Sequence, residues 1–318
     1  MNILYYFPRA LYERKMSLGR VLYGEAVARQ PGIDLKVWGS GWDGFDDSQT
    51  VTDNLQRQFG ASWSPDVLWS YKLADHKPGL GSLSVKHSIV CFNEAHDPAK
   101  TFPEIEAARA TTVVFHHEND RRKWETLLTQ WGVTTARLLH AVDLTYFRPT
   151  TDFEYRCRRL KTIVTGVLAP AIYPLRCRFA SLINSKRLSG RVRNHPGYRL
   201  DSLDACRKQY HEYAHALSHA KVSLCCTSIH RYALAKIVES MAAGCLVVTD
   251  FPDDGQWQYD LARFCVRVSP DMNDDDLVDT VEFALKHAAA EKVLAGQKYV
   301  LENLTTDHYA KGLLEYVS

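Results

Sequence analysis

The chain has 318 residues, 46% of them hydrophobic and 24% charged, with a formal net charge of +2. That length leaves room for two domains with substantial cores, and no apolar run approaches the roughly 18–20 residues of a membrane span. The start, MNILYYFPRA, reads as a strand and turn without the apolar region of a secretory leader, and the eight cysteines show no C-x-x-C spacing, which fits a reduced, cytoplasmic setting better than a disulfide framework.

Strands and helices alternate along the chain. NILYYF at 2–7 predicts a strand, followed by a loop at 8–16 carrying Arg9, Tyr12, Arg14 and Lys15, then a helix over 16–29. Ser17-Leu18-Gly19-Arg20 opens that helix, with Gly19 able to admit a substrate and Gly24 suited to helix packing. Strands follow at 33–38, 66–71, 87–93, 111–116 and 136–140, with helices near 101–109 and 119–131. This pattern predicts an α/β fold with a parallel, doubly wound sheet, whose ligands bind beyond the carboxyl ends of the strands. At those ends stand Asn93-Glu94-Ala95-His96-Asp97 and His116-His117-Glu118-Asn119-Asp120. The first set is placed to line a ligand crevice, and one of the histidines with Asn119 is placed likewise. HHE lacks the H-E-x-x-H spacing of a zinc site, and no metal is expected there.

Arg148–Arg159 reads as a polar linker, after which a second run of alternating elements begins with KTIVTG. Strands are expected at about 220–225, 245–249 and 263–268, and helices near 172–186, 203–218, 231–243 and 275–290, with a last helix at 305–318. Residues 151–200 hold 11 basic residues against 2 acidic, whereas 1–150 balance at 17 and 17. Such a segment suits a phosphate-bearing ligand: a nucleoside diphosphate, a lipid headgroup or nucleic acid. Asp274-Asp275-Asp276 falls where a helix begins and is read as favourable to its dipole.

The segment HRYALAKIVESMAAGCLVVTD at 230–250 carries the most chemistry. Leu234, Ile237, Val238 and Met241 make an apolar stripe, while Tyr232, Lys236, Glu239 and Ala243 fall on another face. The N-terminus of such a helix suits a phosphate, Arg231 at its mouth would clamp one, and Gly244 ends it. An ordinary surface ion pair between Lys236 and Glu239 is the competing account. TIVTGVLAPAIYPLRCR at 162–178 places Gly166 after a strand, then Tyr173-Pro174-Leu175-Arg176 at a helix start, with Arg178 beyond. His195-Pro196-Gly197-Tyr198 reads as a loop or an ordinary turn.

Glu239-Ser240-Met241-Ala242-Ala243-Gly244 resembles the second half of the motif of group 1, family 4-like glycosyltransferases. The first glutamate of that motif is absent, and Arg231 stands eight residues before Glu239, as in the CgeB-like branch. The YPLR segment is similar to one in the same branch. His140-Ala141-Val142-Asp143, running on to Phe147-Arg148-Pro149, resembles the end of its N-terminal domain. The resemblance implies a GT-B fold, two Rossmann-like domains with a cleft between them: an acceptor domain at 1–150, a donor domain at 151–304, and a C-terminal helix at 305–318 crossing back. It implies transfer of a hexose or pentose from a nucleotide sugar, a UDP-sugar foremost, to a glycan, lipid or small-molecule hydroxyl. Retention of configuration and independence of metal are implied, with no further cofactor.

Glu239 is implied as the ribose ligand, with Gly166, Tyr173, Arg176, His195, Arg231, Tyr232 and Lys236 around the donor. His96 is implied near the donor sugar, with Glu94 and His117 as further catalytic candidates and Arg14, Gly19, Arg20 and Asn119 on the acceptor side. Three alternatives stand beside this reading. A DNA glycosyltransferase would act on a hydroxymethylated base through the basic 151–200 segment; a GT-B module would bind nucleotide without turnover; an epimerase would act on the sugar nucleotide without an acceptor.

Overall fold

The computed structural model describes residues 1–14, 18–71 and 80–317. Two compact units emerge. One comprises residues 1–139, 198–207 and 306–318, the other residues 140–197 and 208–305.

The first unit is built on a parallel six-stranded sheet: β1 (Asn2–Tyr6), β2 (Asp34–Trp38), β3 (Val67–Tyr71), β4 (His87–Phe92), β5 (Thr112–Phe115) and β6 (Thr134–Arg137). Their order is β2-β1-β3-β4-β5-β6, every pairing parallel. Buried apolar side chains run through the central strands, as a sheet covered on both faces requires. The helix Thr306–Leu314 lies against helix Leu18–Ala28 in this unit: Tyr309 stacks on Tyr23 at 4.0 Å, and its hydroxyl meets that of Tyr71 at 2.7 Å.

The second unit holds a parallel five-stranded sheet: β7 (Leu160–Gly166), β8 (Gly190–Asn194), β9 (Ala220–Leu224), β10 (Leu246–Thr249) and β11 (Cys265–Arg267), ordered β11-β10-β9-β7-β8. Both units are therefore Rossmann-like, as expected. No described helix is long and apolar enough to cross a membrane.

Several local readings change. The loop expected at 8–16 contains a short helix, Arg9–Arg14, and the sixth strand lies at Thr134–Arg137 rather than 136–140. The stretch read as linker holds a helix, Asp152–Cys157, started by a full capping box between Thr151 and Glu154. Strand β8 and helices Val51–Phe59, Gly255–Asp260 and Ala290–Asn303 were not expected at all. β8 is an edge strand with Arg191 and Asn194 exposed and Arg193 half-buried, so it lacks the apolar alternation that marks a strand.

Candidate functional site

In the second unit, the helix expected over 231–243 spans Ala235–Ala242, with Leu234 as its N-cap. Its apolar stripe sinks inward, with Ile237, Val238 and Met241 buried. Ser240 meets Ser223 of β9 at 2.8 Å between hydroxyl oxygens, which ties the buried face to the sheet. Beyond the C-terminus Gly244 takes φ +71°, the left-handed conformation that closes a helix at little cost for glycine. Arg158 then donates to the carbonyls of Ala243 at 2.8 Å, Gly244 at 2.6 Å and Ala220 at 2.8 Å. Gln297 takes that of Ala242 at 2.7 Å. The carbonyls that a helix end leaves without partners are thus satisfied by side chains from distant sequence. This anchoring fixes where Lys236 and Glu239 stand.

Glu239 is held on both oxygens. The Tyr210 hydroxyl donates to Oε1 at 3.0 Å and the Tyr213 hydroxyl to Oε2 at 2.8 Å. A carboxylate has about four acceptor positions, so two remain for a ligand. Tyr213 also lies under Lys236, whose Nζ is 4.7 Å from the ring centroid, and near Thr165 at the end of β7. The next residue, Gly166, has φ +105°, and a Cβ there would stand 2.6 Å from Lys236 Cε and 3.1 Å from Arg176 Nη1. Lys236 and Arg176 therefore converge on a strand end where only glycine fits. Arg176 is buried, stacks on Tyr173 at 4.0 Å from guanidinium carbon to centroid, and donates to the Val167 carbonyl at 3.1 Å.

The electrostatics follow from this crowding. Burial pushes the Lys236 pKa down, the Glu239 carboxylate opposes that shift, and the Arg176 charge adds to it. His195 accepts from the Gly197 amide at 3.0 Å, and its pKa is lowered by burial and then by the Lys236 and Arg176 charges. Two cations sharing one half-buried corner repel each other, and an anionic ligand between them would relieve that cost.

The other basic residues expected at the phosphates are committed elsewhere. Arg231 precedes the helix with φ +57°, pairs through Nη1 with Asp250 at 3.0 Å and donates to the Phe251 carbonyl. Asp250 is itself held by the amide and hydroxyl of Thr227. Arg231 is thus a loop clamp rather than an open phosphate fork. Tyr232 also lies before the helix instead of on its face; it is buried and stacks with His230 at 5.4 Å. Arg178 donates to Asp274 at 2.7 Å and to the Pro270 and Met272 carbonyls, and Arg187 pairs with Asp275. Those contacts give Asp274 and Asp275 partners, while the Asp276 amide is capped by Asn273. Arg193 faces Glu212 at 3.6 Å, so acids from later in the chain neutralise part of the basic 151–200 segment.

In the first unit, the loop after β4 is braced from the helix Glu118–Gln130. Asp120 accepts the Ala95 amide at 2.7 Å, Trp124 donates to the Ala95 carbonyl at 2.8 Å and Lys123 to that of His96 at 2.7 Å. Glu94 is half-buried and His96 exposed on this loop. His117 is buried at the N-cap of the same helix and Asn119 half-buried in its first turn. His116, also buried, sits with Nδ1 2.8 Å from the Leu138 carbonyl and its pKa pushed down to about 4 by burial. Gly19 and Arg20 lie in the first turn of helix Leu18–Ala28. The backbone of Arg14 ends the helix Arg9–Arg14, while Lys15 and Ser17 lie outside the described residues. Among the described residues no group of three or more His, Cys, Asp or Glu could hold a metal ion. Tyr210, Tyr213 and Thr165 were not foreseen; the i, i+3 spacing of the two tyrosines on helix Leu203–Ser218 is their one sequence signal.

No family model matches the sequence, and no curated protein is detectably similar to it. Solved structures share its fold. Sucrose-phosphate synthase from Thermosynechococcus elongatus superposes with a TM-score of 0.61 at 12% identity, covering 99% of this chain and 98% of that one. HepE from Anabaena, in complex with UDP-glucose, gives 0.62 at 10% identity over 99% and 100%. A glycosyltransferase from Rickettsia africae gives 0.59 at 12% identity over 99% and 97%. The chain thus has the two-domain Rossmann-like fold of these glycosyltransferases along nearly its whole length.

Proposed function

We propose that the chain is a glycosyltransferase that takes a sugar from a nucleoside diphosphate sugar, with a UDP-sugar as donor, and passes it to a hydroxyl acceptor. The observation that carries this reading is the convergence of Lys236 and Arg176 on Gly166, beside a carboxylate held by two tyrosines. Lys236 and Arg176 would meet the diphosphate. Their charge neutralises what develops on the departing phosphate oxygen as the glycosidic bond breaks, in a site where water screens little. Two fixed cations supply that counter-charge from side chains alone, in keeping with a metal-independent reaction. Glu239 would accept the ribose hydroxyls through the positions its tyrosines leave open. Gly166 lets the ligand approach the backbone, and His195 stands at the rim of the same site. In the first unit, Glu94 and His96 at the carboxyl end of β4 are the proposed contacts to the reacting sugar. His117, being buried, would support their loop from beside it. Retention of configuration belongs to the same reading, as the family resemblance implies. Eight cysteines without disulfide partners suit a reducing, cytoplasmic setting.

The test is a thermal-shift series with UDP, GDP, ADP and CMP on the full chain and on Lys236→Ala and Glu239→Ala, followed by assay of UDP release from UDP-glucose. At a hundredfold excess over Kd, ligand linkage stabilises a fold by about 2.7 kcal/mol, which such a scan resolves. Stabilisation by UDP that both variants lose is the expected result. Indifference to every nucleotide at millimolar concentration overturns the reading.

A further inference from the structure

Arg20 is buried in the first turn of helix Leu18–Ala28, only 9% exposed, yet its guanidinium pairs with no carboxylate among the described residues. Its Nε is sealed from solvent and makes no hydrogen bond. The group lies 5.3 Å over the ring of Tyr71, the last residue of β3, while the Arg20 carbonyl accepts from the Tyr5 hydroxyl of β1 at 3.1 Å. A buried lysine in such a place sheds its proton; a guanidinium cannot, so the charge persists. Its field reaches Tyr5, Cys91 and His116: burial raises the pKa of the first two and the Arg20 charge opposes that rise, whereas burial lowers that of His116 and the same charge adds to the fall.

The location has its own meaning. Chain order reverses between β1 and β3, since β2 lies on the far side of β1. In an open parallel sheet such a switch point opens a crevice at the carboxyl ends of the strands, where ligands bind. Arg20 touches both strands that flank it. Its neighbour Gly19 has nothing among the described residues within 4 Å of where a Cβ would be. The amides of the first helical turn add donors and a partial positive charge there.

We propose that the carboxyl end of the N-terminal sheet carries an anion site whose cation is Arg20, and that it takes a phosphate or carboxylate group. The planar fork of arginine fits either anion through paired hydrogen bonds. That the anion belongs to the sugar acceptor rests on the transferase reading; the anion site itself does not.

Inorganic phosphate, titrated against the full chain and followed by phosphorus NMR line width, tests this, with sodium acetate at equal ionic strength as the carboxylate probe. Arg20→Met, which keeps the apolar stem, is expected to weaken binding by about tenfold or more. Lys236→Met is expected to leave binding at this site in place, and its UDP affinity reports separately on the donor site. Stronger binding of phosphate than acetate assigns a phosphorylated ligand, and the reverse a carboxylate. Without ligand, Arg20→Met is expected to melt at or above the wild-type temperature, because an uncompensated charge has gone. Undiminished phosphate binding in Arg20→Met, loss of all binding in Lys236→Met, or no binding of either anion by the wild type overturns the proposal. So does a melting temperature several degrees lower in Arg20→Met, which marks the arginine as a structural prop.

Discussion

Replacing Glu239 by glutamine keeps the shape of the side chain and removes its charge. In the free protein each carboxylate oxygen already accepts one tyrosine hydroxyl, from Tyr210 at 3.0 Å and Tyr213 at 2.8 Å. The amide has one acceptor oxygen instead of two, so a ribose diol that used both open positions keeps at most one, and without the charge. A hydrogen bond to a charged group is worth about 1.5–3 kcal/mol, which predicts UDP binding weakened about 10- to 150-fold. Inorganic diphosphate, which has no ribose, should bind as well or better, because a negative charge has left its surroundings. Glu239 also holds the Lys236 pKa up against burial, so both titrations belong on the acid side of neutral, where lower pH favours the ammonium. Isothermal titration of the two ligands against wild type and Glu239→Gln reads the contrast directly. Equal weakening of UDP and diphosphate would show that Glu239 acts only through Lys236. Unchanged UDP affinity would remove it from the site.

Gly166→Ala combines a left-handed backbone at φ +105° with a Cβ 2.6 Å from Lys236 Cε, so it should cost about 1–3 kcal/mol of stability and at least about tenfold in UDP affinity. An unperturbed urea midpoint and UDP isotherm would contradict that crowding. Arg158→Met strips hydrogen bonds from the carbonyls of Ala220, Ala243 and Gly244; urea unfolding should show a loss of about 3–5 kcal/mol, and a loss below about 1 would mean water replaces the guanidinium. His116 titrates at about 4 in the fold against 6.5 when unperturbed, so the unfolded chain binds the proton first. Its contribution is whole above pH 6.5 and is lost as the pH falls toward 4, a change of about 3 kcal/mol at about 1.4 kcal/mol per pH unit. Urea midpoints from pH 7 to 4 should therefore converge for wild type and His116→Gln by that amount, and parallel curves would refute the burial argument.

The alternation of strands and helices was legible because it is written in local periods, two for strands and 3.6 for helices, together with a helix-ending residue such as Gly244. Lys236 and Glu239 were legible as a pair because i, i+3 spacing puts them on neighbouring parts of one helix face. What surrounds them was not. Tyr210 and Tyr213 lie 26–29 residues earlier in the chain, and only the packing of helix Leu203–Ser218 brings their hydroxyls to Glu239. Arg231 and Arg178 looked the same as Arg176 in the sequence, each a basic residue near a helix start. Long-range partners separated them: Asp250 and Asp274 hold the first two, while Arg176 turns toward Gly166. The start of the helix at Ala235 rather than 231 was settled likewise, by the ties of Arg231 to Asp250 and Phe251 in place of a local capping residue. Local spacing fixes which residues share a face, since covalent geometry sets it. Which charge is left open for a ligand depends on the distance to every other charge, and that exists only once the chain has folded.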